Sequence, residues 1–175
     1  MRIVGTDSDE EGEVDEVQDR QYKVILLGNG AVGKTSLANR FCDDGFNTSY
    51  KQTIGLDFFV KRLVLPGEIN VCLQVWDIGG QSIGGNMISR YIYGSDAVVL
   101  VYDITSYQSF QDLNDWLRLV DKATGGQTGG QKRPPLLFLM GNKTDLDHMR
   151  MVKSEKHKDF IREHNMSPEP YLPIN

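Results

Sequence analysis

The sequence predicts an α/β domain: a six-stranded, mostly parallel sheet with one antiparallel edge strand and helices on both faces. Apolar runs typical of buried strands recur along the chain, and segments with helical periodicity separate most of them. Such alternation favours a parallel sheet, because parallel neighbours need a long crossover connection. A chain of 175 residues, 39% of them hydrophobic, is long enough to bury the core of one such domain.

The first three strands are predicted in the amino-terminal half. YKVILLG (22–28) is a continuous apolar run that ends at a glycine, and a helix is expected after it over 34–42. LDFFVKRLVL (56–65) and INVCLQVWD (69–77) alternate in polarity on either side of a proline-glycine pair. That pattern predicts an antiparallel hairpin.

The second half continues the alternation of helix and strand. The predicted elements are a helix near 86–93, a strand over 96–103, a helix over 107–123, a strand over 136–142 and a helix over 154–164. The glycine-rich segment 124–135 is expected to be a surface loop. A sixth strand is expected to begin at YLPI, within a domain predicted over 21–175.

The net negative charge is concentrated in the first 20 residues, which contain eight acidic side chains and two arginines. This segment is expected to be a disordered acidic tail, because it cannot bury enough apolar surface to order itself. The remaining residues are close to neutral, which argues against a nucleic-acid partner. No apolar run has the length of a membrane span. Cys42 and Cys72 show no metal-binding spacing, which favours a reducing, cytosol-like compartment.

A phosphate-binding loop is predicted directly after the first strand. GNGAVGKTS contains the spacing G-x-x-x-x-G-K-[ST] from Gly28 to Thr35, between a predicted strand and a predicted helix. Glycines at this spacing let backbone N–H groups turn toward phosphate oxygens, while the lysine reaches the outer phosphates and the hydroxyl binds Mg²⁺. The predicted binding residues here are Asn29, Gly30, Ala31, Val32, Gly33, Lys34, Thr35 and Ser36. The motif alone leaves kinase, ATPase and GTPase open.

The segment GNKTD (141–145) follows the strand predicted over 136–142 and indicates which base is bound. A fixed carboxylate at Asp145 can accept hydrogen bonds from the N1–H and the 2-amino group of guanine. Adenine has neither group, so it would leave the carboxylate, which is expected to be buried, without a partner, and this loss discriminates strongly between the bases. Asn142 and Lys143 are expected to hold the loop and to pack on the base. A surface turn is the alternative interpretation.

Four motifs taken together, GNGAVGKTS, KQTIG, WDIGGQ and GNKTD, resemble the Ras superfamily of small GTPases and most closely its Rab branch, over residues 21–165. The resemblance implies that KQTIG is the first switch, with Thr53 as a ligand of Mg²⁺ and a sensor of the γ-phosphate. It implies that Phe46 lies over the guanine and that Asp77 holds Mg²⁺ through water. It also implies that the Gly80 N–H bonds the γ-phosphate and that Gln81 orients the attacking water.

The resemblance therefore implies slow GTP hydrolysis with GTP or GDP and Mg²⁺ bound. Lys34, Gly80 and Gln81 would be the catalytic residues, and Thr35, Thr53 and Asp77 the metal site. Hydrolysis of this kind depends on positioning and charge stabilisation. No arginine beside the switches suggests an internal finger, so a GTPase-activating protein is expected to supply one.

The second switch, WDIGGQSIGG (76–85), departs from the usual pattern of the branch and resembles a divergent member. Gly79 replaces the common alanine, and Ser82-Ile83-Gly84-Gly85 replaces a charged and aromatic run. Because glycine removes steric limits on the backbone, this switch is expected to be unusually flexible. The alternative function is therefore a nucleotide-binding interaction module with impaired hydrolysis.

The resemblance also implies protein partners: an exchange factor, a GTPase-activating protein and effectors. Phe58, Trp76 and Tyr91 match an aromatic triad that this branch presents to effectors, although core aromatics look the same in a sequence. A monomer on the cytosolic face of intracellular membranes, serving vesicle trafficking, is expected for a complete chain. The resemblance further implies that a complete chain has an S-A-K loop, a last helix and cysteines that carry a lipid anchor, and this sequence is expected to stop before them.

Overall fold

Five strands form one sheet in the structure, a computed structural model that describes residues 20–43, 52–80, 87–125 and 133–167. The strands are β1 Arg20–Leu27, β2 Leu56–Leu65, β3 Ile69–Ile78, β4 Ala97–Asp103 and β5 Leu136–Asn142. The acidic tail, residues 1–19, lies outside the described residues. Arg20, which the sequence interpretation placed at the end of that tail, is the first residue of β1.

Within the described ranges, five α-helices connect and cover the strands. They are α1 Lys34–Asp43, α2 Ile88–Ile92, α3 Tyr107–Gln111, α4 Leu113–Thr124 and α5 Ser154–Glu163. A 3₁₀ helix that the sequence interpretation did not anticipate, Thr144–Met149, follows β5. Within the described parts of the chain, no helix is both long enough and apolar enough to cross a membrane.

The strand order β2-β3-β1-β4-β5 confirms the predicted mostly parallel sheet with an antiparallel edge strand. Only β2 and β3 pair antiparallel, and the remaining pairs are parallel. Parallel pairing brings the carboxyl ends of four strands to one edge: Leu26 faces Asp77, and Asp103 faces Asn142. The residues that follow these strands are therefore neighbours in space, as in open α/β sheets that bind ligands at this edge.

The predicted sixth strand, over YLPI, lies outside the described residues, so five strands are observed among those that are described. The last described residues after α5 return toward the sheet. The Ser167 N–H donates to the Leu137 carbonyl, with 2.8 Å between nitrogen and oxygen. This contact brings the chain back beside β5, the free edge of the observed sheet.

The single helix predicted over 107–123 is wrong, because the structure divides it at Asp112. Asp112 ends α3 and begins α4. Its side chain accepts hydrogen bonds from Gln108 Nε2 at 2.7 Å and from Asn29 Nδ2 at 2.6 Å. Helical periodicity continues through the break, which explains why the sequence pattern indicated one element.

The main core lies between the sheet and α2, α3, α4 and α5. Central strands β1 and β4 contribute Ile25, Leu27, Val98 and Leu100, all with 0% exposed surface. Trp116 of α4, also fully buried, packs in the same cluster. Burying side chains of this size stabilises a domain by about 1.5–3 kcal/mol each, so the core fixes the strand ends that carry the site.

Candidate functional site

The phosphate loop lies between β1 and α1, and its lysine is held by the loop's own backbone. Lys34 Nζ donates to the carbonyl oxygens of Gly28 at 2.8 Å and Asn29 at 2.9 Å. Only 6% of Lys34 is exposed. Burial lowers the pKa of Lys34 below its ordinary value, and the negative charge of Asp77 opposes that shift. The ammonium is thus oriented inside the loop.

The phosphate loop and the segment after β5 are joined directly. Asn142 Nδ2 donates to the Val32 carbonyl at 2.8 Å. A Cβ on Gly33 would lie 2.3 Å from that same Nδ2 atom, and Gly33 has a φ of +97°. The backbone conformation therefore favours glycine at position 33, and a side chain there would also displace the Asn142 amide from Val32. The two motifs, far apart in sequence, form one structural unit.

Two hydroxyls and one carboxylate meet beside Lys34. Thr35 Oγ1 lies 2.8 Å from Thr53 Oγ1 and donates to Asp77 Oδ2, which also accepts from Thr53 Oγ1 at 3.3 Å. Asp77 has 0% exposure, and its other oxygen, Oδ1, has no hydrogen-bond partner among the described residues. Burial raises the pKa of Asp77, against the hydrogen bond from Thr35 and the charge of Lys34.

This cluster fits a hard divalent cation such as Mg²⁺. Hydroxyl, carboxylate and water oxygens are the ligands that Mg²⁺ prefers. A buried carboxylate oxygen without a partner is costly unless a ligand or water satisfies it. No group of three or more His, Cys, Asp or Glu side chains suited to a metal occurs in the described ranges. The candidate metal site is therefore Thr35, Thr53 and Asp77.

The start of the second switch lies against the phosphate loop. A Cβ on Gly80 would lie 2.1 Å from the Gly30 nitrogen and 2.3 Å from the Asn29 carbonyl carbon. Only glycine permits this close approach of two backbones. Gly80 is thus placed beside the candidate phosphate site. Two other predicted residues, Gln81 and Phe46, lie outside the described residues.

The other predicted residues of the phosphate loop differ in solvent exposure and in side-chain contacts. Gly30, Ala31 and Ser36 are exposed, and Val32 is 2% exposed and belongs to the core. The Asn29 side chain turns away from the loop: its Oδ1 accepts from Trp116 Nε1 at 3.0 Å, and its Nδ2 donates to Asp112. This anchoring by α4 was not visible in the sequence, because nothing in a motif relates residues 87 positions apart.

At the candidate base end, an ion pair holds the loop that carries Asp145. Lys143 has a left-handed backbone (φ 64°, ψ 40°), and its Nζ lies 2.6 Å from Asp103 Oδ2. Asp103 Oδ1 accepts from the N–H of Thr105 at 2.8 Å and from its Oγ1 at 2.7 Å. Burial acts to raise the pKa of Asp103, but the hydrogen bonds from Lys143 and Thr105 outweigh it, so the pKa is lowered.

Asp145 lies in the 3₁₀ helix and is exposed, rather than buried as the base argument from sequence assumed. An exposed carboxylate is available to an incoming ligand. Asp103 is the functional neighbour that sequence reasoning missed. A carboxylate at the end of a buried strand, beside the strand that leads into GNKTD, was the signal that could have identified it.

The three aromatic residues form one cluster across β2, β3 and α2. The ring centroids of Phe58 and Trp76 are 5.5 Å apart in an edge-to-face arrangement, and those of Trp76 and Tyr91 are 6.3 Å apart. Phe58 is 49% exposed, whereas Trp76 and Tyr91 are half-buried and pack on the main core. Lys23 Nζ lies 4.7 Å from the Trp76 ring centroid. The cluster therefore combines core packing with an exposed aromatic surface.

A sequence model described as the Ras family matches residues 23–169, most of the chain. The chain is 48% identical over 154 residues to Ras-related protein Rab-28 of Caenorhabditis elegans, covering 88% of this chain and 60% of that protein. The chain belongs to the Rab branch of the Ras family. This membership confirms the resemblance to the Rab branch that was drawn from the four motifs.

Other Rab relatives are less similar but cover a comparable share of this chain. Ras-related protein Rab-10 of Diplobatis ommata is 37% identical over 146 residues, which is 83% of this chain and 69% of that protein. Ras-related protein Rab-13 of Rattus norvegicus is 35% identical over 148 residues, 85% of this chain and 69% of that protein. This Rab-branch chain spans about three fifths of the length of the Rab-28 relative.

Proposed function

We propose that this Rab-branch chain binds GDP and GTP with Mg²⁺, hydrolyses GTP slowly, and acts as a molecular switch. The observation that carries the proposal is the Asp77 carboxylate, which is fully buried yet leaves Oδ1 without a partner among the described residues. Two hydroxyls and the buried Lys34 surround it. Membership of the Rab branch supports GTP and GDP as the nucleotides that bind beside this cluster.

At the phosphate end, different residues would bind the phosphates and the Mg²⁺ ion. Lys34 places its ammonium against the outer phosphates, and the backbone of the loop surrounds them. Thr35, Thr53 and Asp77 would hold Mg²⁺, Asp77 through a water molecule. When bound, Mg²⁺ neutralises charge on the phosphates. Thr53 belongs to the first switch, so its hydroxyl links the conformation of that segment to the bound nucleotide.

The residues of the base end provide the preference for guanine. Asp145 accepts the N1–H and the 2-amino group, and its exposed position leaves it open to the base. Asn142 and Lys143 hold the loop through Val32 and Asp103. Phe46 covers the base. Adenine is disfavoured because it would cover the Asp145 carboxylate, displace its water and offer it no hydrogen bond in return.

Hydrolysis depends on the second switch. Gln81 orients the attacking water, and the Gly80 N–H bonds the γ-phosphate. Gly80 lies against the phosphate loop in the structure, which supports that role. Without an arginine supplied by a GTPase-activating protein, such catalysis is slow, and the arginine contributes about 10³ to 10⁵ in rate.

Partners are proposed at the aromatic cluster and the two switches. Effectors would contact Phe58, Trp76 and Tyr91, and exchange factors and GTPase-activating proteins would act on the switches. Exposed aromatic side chains are frequent anchors of protein interfaces. We further propose that the protein is a monomer of the cytosol and, when lipidated, of the cytosolic face of intracellular membranes, where it serves vesicle trafficking.

The test is to purify the full chain without added nucleotide, denature it, and identify the released ligand by ion-exchange chromatography. Stoichiometric GDP is expected, because a binding site of this kind retains nucleotide through purification and GTP is hydrolysed during it. The Asp145→Asn variant is the control, since it is expected to release much less guanine nucleotide.

The outcomes separate binding from hydrolysis. Intact GTP would support guanine binding and overturn hydrolysis, leaving a nucleotide-binding interaction module. Absence of nucleotide, together with no binding of added GDP in the presence of Mg²⁺, would overturn the proposal as a whole. An adenine nucleotide would overturn the role of Asp145.

A further inference from the structure

Gly79, the residue that departs from the alanine common in this branch, lies in tight contact with the first switch. It is buried, and its N–H donates to the Gly55 carbonyl at 2.9 Å. A Cβ built on Gly79 would lie 2.6 Å from the Thr53 carbonyl oxygen and 3.3 Å from that of Gly55. The described backbones of the two switches therefore meet at this residue.

Space, and not backbone conformation, requires glycine at this position. The φ of Gly79 lies outside the left-handed region, so an alanine could adopt the same backbone. The atom that its methyl group would meet belongs to the main chain of Thr53 and cannot turn aside as a flexible side chain could. A side chain at position 79 would therefore displace the first switch of this chain from the position that it occupies in the structure.

The displaced residue is one that the candidate metal site uses. Thr53 Oγ1 lies 2.8 Å from Thr35 Oγ1 and 3.3 Å from Asp77 Oδ2. The carbonyl that contacts Gly79 and the hydroxyl that reaches Asp77 belong to this same residue. A shift of the carbonyl would alter the placement of the hydroxyl, because the same residue carries both groups.

We propose that Gly79 is a positioning residue for Thr53: by lacking a side chain, it lets the first switch close against β3 with the Thr53 hydroxyl beside Asp77. This role rests on the proposed function, in which Thr53 senses the γ-phosphate. Nucleotide states that use Thr53 should depend on Gly79, and the diphosphate state should depend on it less. At this position glycine provides close approach, whereas the sequence pattern had suggested flexibility.

The test compares the Gly79→Ala variant with the unaltered chain, using dissociation constants for GDP and for a non-hydrolysable GTP analogue at fixed Mg²⁺. We expect about tenfold weaker binding of the GTP analogue and a change of about twofold or less for GDP, a size typical of coupling between sites. Gly67→Ala is the control, because Gly67 lies in the β2–β3 turn with open space around it. It should change neither constant.

A double-mutant cycle distinguishes positioning of Thr53 from general damage. In a Thr53→Ala background the hydroxyl is absent, so adding Gly79→Ala should cause little further loss of GTP-analogue affinity. Full additivity of the two losses would overturn the role, since it would show that Gly79 acts independently of the Thr53 side chain.

Gly55→Ala tests the same contact if Gly79→Ala does not fold. Gly55 is exposed with open space around it, but its φ of +79° is strained for alanine, as the +84° of Gly67 is. Gly55→Ala should weaken binding of the GTP analogue selectively, and Gly67→Ala should not. An unchanged ratio of the two affinities in both switch variants overturns the positioning role while leaving nucleotide binding intact. Failure of the unaltered chain to bind either nucleotide would instead overturn the proposed function.

Discussion

The two ends of the candidate site contain buried carboxylates with opposite surroundings. At the metal end, Asp77 Oδ2 accepts hydrogen bonds from the hydroxyls of Thr35 and Thr53. Its other oxygen, Oδ1, has no partner among the described residues. At the base end, Asp103 is 7% exposed, and both of its oxygens are occupied by Lys143 and Thr105. Burial raises the pKa of Asp77, while the hydrogen bonds at Asp103 overcome burial and lower its pKa.

This difference indicates how each end depends on its ligand. The protein's own groups stabilise the charge of Asp103, so the loop that carries Asp145 is held without help from a nucleotide. The charge of Asp77 is stabilised incompletely, and a bound cation with its water would complete it. We therefore expect base recognition to occur on a preformed scaffold and the metal end to be coupled to the nucleotide.

The largest effect is expected from Asp145→Asn, which removes base recognition and leaves the metal end unaltered. Affinity for GDP should fall by about 10³-fold or more, because hydrogen-bonding groups of the ligand and the protein are left unpaired. Xanthosine diphosphate should bind better than GDP. Equilibrium titration with both nucleotides measures the change.

Asp147→Asn is the matched control for this variant. Asp147 is an exposed acid in the same 3₁₀ helix, and its carboxylate pairs with Arg150 Nε at 2.7 Å. Its replacement should leave GDP affinity unchanged. Equal losses in both variants would mean that the acidic charge of the helix, and not Asp145 itself, recognises the base.

A smaller effect is expected from Asp77→Asn, which alters the metal end only. Removing a group that orients metal ligands commonly reduces metal affinity by about 10–100-fold. Addition of a chelator should therefore accelerate GDP release strongly in the unaltered chain and weakly in the variant. Stopped-flow release of a fluorescent GDP derivative, with and without Mg²⁺, measures this.

Asp57→Asn is the control for the metal end. Asp57 faces Asp77 across the β2–β3 pair but is exposed. Its replacement should preserve the response to the chelator. A normal Mg²⁺ response in Asp77→Asn would remove Asp77 from the metal site and with it the difference between the two ends.

The elements and the motifs could be predicted from the sequence because each depends on neighbouring residues. The apolar run before Gly28 and the G-x-x-x-x-G-K-[ST] spacing were sufficient to place a phosphate loop between a strand and a helix. The paired strands around Pro66 and Gly67 followed from polarity alone. Local pattern determines such features almost completely.

Contacts between distant residues could not be predicted in the same way. Asn142 binds Val32 across 110 positions, and Asp103 pairs with Lys143. The sequence pattern indicated flexibility at Gly79, because the residue that Gly79 contacts, Thr53, lies on another segment of the chain. Asp112, at which the helix divides, accepts a hydrogen bond from Asn29 of the distant phosphate loop. Such contacts depend on the order of the strands in the sheet. The sequence pattern predicts the fold class but does not specify which distant residues become neighbours.

The smallest effect is expected from Asp103→Asn, which removes the charge that holds Lys143. At pH 7 the free energy of unfolding should fall by about 1–2 kcal/mol, because a mostly buried ion pair loses one partner. Urea unfolding, followed by circular dichroism in the absence of added nucleotide, measures it. Asp147→Asn, which breaks an exposed pair, should cost about 0.5 kcal/mol or less.

The difference in free energy of unfolding between the unaltered chain and Asp103→Asn should depend on pH, and this dependence tests whether Asp103 is a charged carboxylate in the folded protein. Because the pKa of Asp103 is lowered in the folded state, its contribution is present above the ordinary value of 3.8 and is lost as the pH falls through the folded pKa. The stability difference between the unaltered chain and Asp103→Asn should be constant from pH 7 to about pH 5 and should shrink below about pH 4. Asp77 has the opposite shift, but it is present in both proteins and cancels. A difference that grows on acidification would show that Asp103 is not stabilised as a carboxylate, and the contrast between the two ends would fail.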